Sequence, residues 1–214
     1  DYTYLLEQLV ASPAKPYSQL SLLNAEQYQK IVYEWNKTDK TYPKDKTIYQ
    51  LFQEQAEKTP NNIAIVYEEQ QLTYRELNEK SNQLARHIRN QYKQKTKQEL
   101  KPDTLIALYL DRSVEMIIGI LAVLKAGGAY VPIDPTYPQE RINYILEDTN
   151  AALILSQKHL TKNNTTLPQD KVIDIDLTEE LYKKEDTTNL PQHSQATNLA
   201  YVIYTSGTTG KPKG

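Results

Sequence analysis

Short apolar segments spaced along this chain restrict its fold more than any other feature. They fall at 62–67, 104–110, 129–134, 151–155, 172–175 and 199–204, with patterned helical segments between most of them. Each is rich in Ile, Val, Leu, Ala or Tyr and too short for a packed helix, so each predicts a strand. Strands that alternate with helices predict βαβ units, in which the strands run parallel and the helices cover the sheet. Strands buried on both sides read as nearly continuous apolar runs, as 104–110 and 199–204 do. The predicted class is α/β, a largely parallel β-sheet with helices on both faces. In such sheets ligands sit beyond the carboxyl ends of the strands.

Local signals mark the helices. Asn24 with Gln27, Thr47 with Gln50 and Thr73 with Glu76 have capping-box spacing, and Leu72 and Leu77 flank the third as a hydrophobic staple. Ser113 caps a helix over 114–126, and Gly127-Gly128 ends it by offering a left-handed residue. Pro132 makes 129–134 a short or bent strand. Residues 69–72 predict a turn, 91–103 a solvated Lys/Gln-rich loop, and 157–170 a polar irregular region. A short helical turn is expected near 177–182. Asp111 and Asp134 follow strands and predict turn or cap residues. At the start, Leu5, Leu6, Leu9 and Val10 are separated from Leu20, Leu22 and Leu23 by Ser12-Pro13-Ala14-Lys15-Pro16. That predicts a helix end, a proline linker and a segment clinging to a surface.

The chain closes on Leu199-Ala-Tyr-Val-Ile-Tyr204 followed by Thr205-Ser206-Gly207-Thr208-Thr209-Gly210-Lys211-Pro212-Lys213-Gly214. Glycines let a backbone turn its N–H groups on a ligand, hydroxyls add donors and lysines add positive charge. A polyphosphate needs that combination at the end of a strand. The Walker pattern G-x-x-x-x-G-K-S/T does not fit, because Thr205 stands where its first glycine belongs and Pro212 follows Lys211.

Residues 204–214 do resemble the phosphate loop of the adenylate-forming enzymes, Y-T-S-G-T-T-G-x-P-K-G, at every fixed position. Leu72-Thr-Tyr-Arg-Glu-Leu77 matches the first core motif of adenylation domains, L-S/T-Y-x-E-L, and 124–134 (LKAGGAYVPID) matches the second in full. The chain over 36–214 is similar to the adenylation domains of nonribosomal peptide synthetases, as an incomplete N-terminal part of the adenylate-forming fold. Residues 1–35, ending Glu34-Trp35, are similar to the tail and linker of a condensation domain. The resemblance implies activation of an amino acid by ATP to aminoacyl-AMP, then transfer to the phosphopantetheine thiol of a carrier protein. It assigns Thr205, Ser206, Gly207, Thr208, Thr209 and Gly210 to the ATP phosphates. Lys211 falls on a variable position, and Lys213 orders the loop or meets phosphate. No catalytic residue or metal ligand is assigned here: the Mg²⁺ ligand, ribose aspartate, substrate aspartate and mobile lysine of the family are expected beyond residue 214. A fragment of an acyl- or aryl-CoA ligase, or a nucleotide-binding module without catalysis, remains an alternative.

Composition narrows the remaining classes. A net charge of −2 with mixed signs offers no nucleic-acid or polybasic membrane surface. The absence of cysteine excludes disulfides, thiolate metal sites and a cysteine nucleophile, and fits a reducing cytoplasm. His87, His159 and His193 are scattered without metal spacing, so satisfied or surface histidines are expected. The first residue is Asp1 and the last is the motif's Gly214. From this we expect a longer parent; the family positions expected beyond residue 214 imply a fragment inactive by itself, and uncovered apolar strands predict that it associates.

Overall fold

A computed structural model describes residues 2–163, 166–178, 181–205 and 212–214. It divides into two compact units, Asp1–Pro43 and Lys44–Gly214. In the first, helix α1 (Tyr2–Ala11) precedes a 3₁₀ turn at Tyr17–Gln19, and α2 (Ala25–Tyr28) widens into a π-helical turn over Gln29–Glu34. The Asn24–Gln27 capping box closes in both directions, at 2.8 and 3.1 Å. Gln8 ties α1 to Ser21 through 2.8 and 3.1 Å bonds. No described side chain of this unit is buried, and Trp35 is 64% exposed.

The second unit holds the core. Thr47 and Gln50 cap α3 (Ile48–Lys58) as a box. Strands β1 (Ile63–Tyr67) and β2 (Gln70–Thr73) then pair antiparallel in a ribbon of their own. This corrects two expectations: 62–67 lies outside the parallel sheet, and most of 69–72 is strand. The reversal uses Glu68 in the left-handed region, φ 51°. Thr73 and Glu76 box-cap α4 (Tyr74–Thr96). This helix runs through half of the expected 91–103 loop and ends at left-handed Lys97.

The parallel sheet follows as β3 (Leu105–Tyr109), α5 (Val114–Ala126), β4 (Ala129–Ile133), α6 (Gln139–Thr149), β5 (Ile154–Ser156), a short α7 (Lys158–Asn163) and β6 (Val172–Asp174). Its order is β4-β3-β5-β6 with every pairing parallel. The α7 helix occupies part of the region expected to be irregular. Alternation along β3 sends Ile106 and Leu108 into one core with Leu84, Ile88, Val114 and Ile118 of α4 and α5. Ala107 and Tyr109 enter the other, with Ile142 and Ile145 of α6. Helices therefore cover both faces.

Residues 199–204 run parallel beside β4 but form less than a buried strand. Tyr130 donates to the Ala200 carbonyl at 3.1 Å, and Val202 donates back to Tyr130 at 3.0 Å. The next donor along that edge of β4 would be residue 132, a proline with no N–H, so the ladder stops after one bridge. Leu199, Tyr201 and Ile203 are each 51% exposed, whereas Tyr204 is buried.

At the amino end of the sheet α5 closes on Gly127, φ 96°, as expected. The preceding residue but one, Lys125, is only 1% exposed. Its Nζ reaches Asn78 Oδ1 (2.7 Å), the Asn78 carbonyl (3.1 Å), Ser81 Oγ (2.7 Å) and Asn82 Oδ1 (2.8 Å) of α4. It also lies 5.3 Å from the centroid of the Phe52 ring. Asn82 turns its amide nitrogen to the Thr187 carbonyl (2.7 Å), which leaves its oxygen facing the lysine. A buried cation is tolerated only when oxygens replace its water, and this one has four. Burial nonetheless pulls its pKa down to about 7.

Candidate phosphate site

The carboxyl ends of β3 and β4 and residues 203–204 surround a cleft of about 670 Å³. Leu110, Pro132 and Ile133 form apolar wall, while Asp111, Arg112 and Asp134 bring charge to it. Asp134 accepts from the Thr136 N–H (2.9 Å) and hydroxyl (2.7 Å). These two donors hold its carboxyl below the usual range, the turn role expected for it. Asp111 does not cap: its carboxylate meets His159 Nε2 at 2.8 Å. His193 Nε2 lies 2.6 Å from the Leu100 carbonyl. His87 is partly buried, which lowers its pKa. The three histidines thus stand apart, and among the described residues no group of His, Cys, Asp and Glu could hold a metal ion. No helix of the described chain is long and apolar enough to cross a membrane.

Of the residues expected at phosphate, Thr205 and Lys213 are described. Ser206, Gly207, Thr208, Thr209, Gly210 and Lys211 lie outside the described residues. Thr205 N donates to the Lys213 carbonyl (2.9 Å) and Lys213 N to the Thr205 carbonyl (3.0 Å). This antiparallel pair brings Thr205 and Lys213 together just after Ile203 and Tyr204, which line the cleft. Main-chain donors in a loop between such a pair can converge on one anion, because they need no side chain between them and the ligand.

Three polar contacts here were missed by the sequence reading. Tyr204, the last residue before the loop, donates its hydroxyl to the Asp148 carboxylate. Its carbonyl accepts from Arg141 at 3.2 Å. The Arg141 guanidinium in turn stacks on Tyr137, 4.3 Å from the ring centroid. Burial, aided by the Asp148 carboxylate, pushes the Tyr204 phenol above its ordinary value, so it stays a donor. Only the seven-residue spacing of Arg141 and Asp148, which α6 turns to one side, could have grouped them, and spacing alone names no target.

The chain was compared with known proteins. Residues 52–214 match the AMP-binding enzyme family. The chain is 49% identical over 213 residues to gramicidin S synthase 2 of Brevibacillus brevis, covering all of this chain and 4% of that protein. It is 50% identical over 206 residues to tyrocidine synthase 3 of Brevibacillus parabrevis, covering 96% of this chain and 3% of that one. Its fold also superposes on the crystal structure of the nonribosomal peptide synthetase FmoA3 in its α-methyl-L-serine-AMP-bound form. That match has a TM-score of 0.72 and 29% identity, and covers 85% of this chain and 18% of the other. The chain thus spans a small part of each relative's length.

Proposed function

Since this chain belongs to the AMP-binding enzyme family, we propose that it forms part of a nonribosomal peptide synthetase module that activates an amino acid with ATP. In the reaction a carboxylate oxygen of the amino acid bonds to the α-phosphorus, the bond from that phosphorus to the departing oxygen breaks, and pyrophosphate leaves. The aminoacyl group of the resulting adenylate then passes to a phosphopantetheine thiol on a carrier domain. Residues 205–210 and Lys213 contact the β- and γ-phosphates and stabilise the charge that builds on the departing pyrophosphate. Lys211 adds positive charge at the same loop. Mg²⁺ offsets phosphate charge when bound, and we assign its ligands outside this chain.

The observation that carries this reading is the closure of 205–213 by backbone pairing at the carboxyl end of the sheet. Residues 1–35 would be the tail and linker of a condensation domain, which makes condensation and carrier domains the partners. The working compartment would be the cytoplasm. Residues 1–214 alone would lack the groups that place the reacting carboxylate.

The test is pyrophosphate exchange by the full-length protein with Thr208→Ala, Thr209→Ala or Lys213→Ala. Each should slow exchange by about 10–1000-fold, the range for loss of one donor to a developing anion. Unchanged exchange in all three would remove the phosphate role. Exchange driven by fatty or aryl acids in place of amino acids would move the reading to an acyl- or aryl-CoA ligase.

A further inference from the structure

Helix α6 needs only its apolar face to cover the sheet, and Ile142 and Ile145 supply it. Arg141, Tyr144 and Asp148 do something else. They lie one and two turns apart along one side of the helix, and all three converge on Tyr204. Arg141 binds its carbonyl, Asp148 its hydroxyl, and Tyr144 meets its ring edge-on with 6.4 Å between centroids. Each contact fixes a different part of the residue: backbone, ring tip and ring edge.

The far leg of the loop uses the same post. Gly214 packs so closely on Tyr204 that a Cβ there would stand 2.7 Å from Cε2 of the ring and 2.8 Å from Val202 Cγ1. Side chains essentially never approach that closely, so any larger residue would have to displace the Tyr204 ring or Val202. Both legs of the loop therefore take their position from one tyrosine. The near leg continues from its carbonyl carbon into Thr205, and the far leg returns across its ring.

We propose that Arg141 and Asp148 are positioning residues for the phosphate loop: through Tyr204 they set where the loop's donors face the β- and γ-phosphates of ATP. This rests on the phosphate reading given above. The physical reason for the device is that donors to a developing anion act only when held at the right place. A displacement of about 1 Å can cost a hundredfold in rate. A loop joined to its sheet by a single bridge has too little pairing of its own to hold that tolerance. The arginine is suited to its part because stacking on Tyr137 fixes the plane of its guanidinium. The carboxylate is suited because a hydrogen bond to a charged acceptor is stronger than one between neutral groups.

The test compares two nucleotides on the full-length protein by calorimetric titration: an ATP analogue with a non-cleavable α–β bridge, and AMP, which lacks the β- and γ-phosphates. Tyr204→Phe and Asp148→Ala should each weaken the ATP analogue by about tenfold. AMP affinity should stay within about twofold, as should the KM for the amino acid in pyrophosphate exchange. The double variant should lose no more than either single one, because both remove the same bond. Asp148→Asn keeps an acceptor and should restore most of the loss. Equal losses for AMP and the ATP analogue would reveal a merely structural contact and overturn the proposal, as would no loss for either. If Asp148→Ala fails to fold, Tyr204→Phe, which removes a single oxygen, decides the matter. Thr208→Ala serves as the reference. If it weakens the ATP analogue while Tyr204→Phe does not, the positioning role falls and the phosphate reading stands. If Thr208→Ala has no effect, the phosphate reading falls with it.

Discussion

The two ends of the parallel sheet solve the problem of charge in opposite ways. At the amino end Lys125 is fully enclosed, and four oxygens of α4 surround its ammonium. At the carboxyl end Asp111, Arg112 and Asp134 are exposed on the rim of an open cleft. An end that only joins helices to one another satisfies its charge from within. An end that receives another molecule leaves charge and apolar wall facing outward, where a ligand or further chain can use them. Sensitivity to substitution should therefore differ between the ends, and three measurements on the intact domain would break or sharpen the contrast.

The largest effect is expected for Lys125→Met. Methionine fills similar volume but leaves the oxygens of Asn78, Ser81 and Asn82 without their donor, so urea unfolding should show a loss of about 3 kcal/mol. The loss should also depend on pH. Burial pulls the lysine to about 7 in the folded chain against an ordinary 10.5. Between those values the unfolded chain binds more protons than the folded one, so wild-type stability rises with pH across that window. Methionine has no such term, and the gap should widen by up to about 1.4 kcal/mol per pH unit above 7. A gap that is absent, or that narrows as pH rises, would mean the amino end is not closed around a charge.

Gly127→Ala should follow at about 2 kcal/mol. Its φ of 96° is strained for any side chain, and a Cβ would lie 2.4 Å from Cδ2 of His193. The imidazole would have to leave the Leu100 carbonyl that it meets at 2.6 Å. A melting curve superposable on wild type would show that this end has slack. The smallest effect belongs to the other end: Arg112→Ala should shift the melting temperature by less than about 2 °C, the usual range for an exposed side chain. A shift as large as that of Gly127→Ala would erase the distinction between the ends.

What the sequence disclosed depended on how local the deciding interaction was. Three capping boxes and the Gly127 terminus were readable because donor and acceptor lie within a few residues. The β1–β2 ribbon was hidden because its reversal at Glu68 lacks the Asn-Gly or Asp-Gly signal of a tight hairpin. The Lys/Gln run after residue 90 favours helix as much as loop, and α4 simply continued through it to Thr96. The phosphate motif stood out at 205–214, as did its place after a strand-like segment. Pro132 was visible as the mark of a short or bent strand. Its effect on the neighbouring segment was not, because that requires knowing which edge each donor faces. The hydrogen bonds of Lys125, Arg141 and Asp148 were invisible for one reason: each reaches a partner 43 or more positions away in sequence.

The single bridge between Tyr130 and Tyr201 bears on the order in which the sheet is assembled. The residues that pair β3 with β4 are 24 positions apart, Leu105 with Ala129, and five successive pairs reward that closure. The bridge spans 71 positions, and its ladder pairing consists of two hydrogen bonds. Chain entropy alone makes the longer closure dearer by about 1 kcal/mol, a modest difference because the cost grows only with the logarithm of length. The deficit in ladder pairing is the larger disparity. Ladder pairing alone thus favours closure of β3 on β4 before the 199–204 segment adds to the sheet.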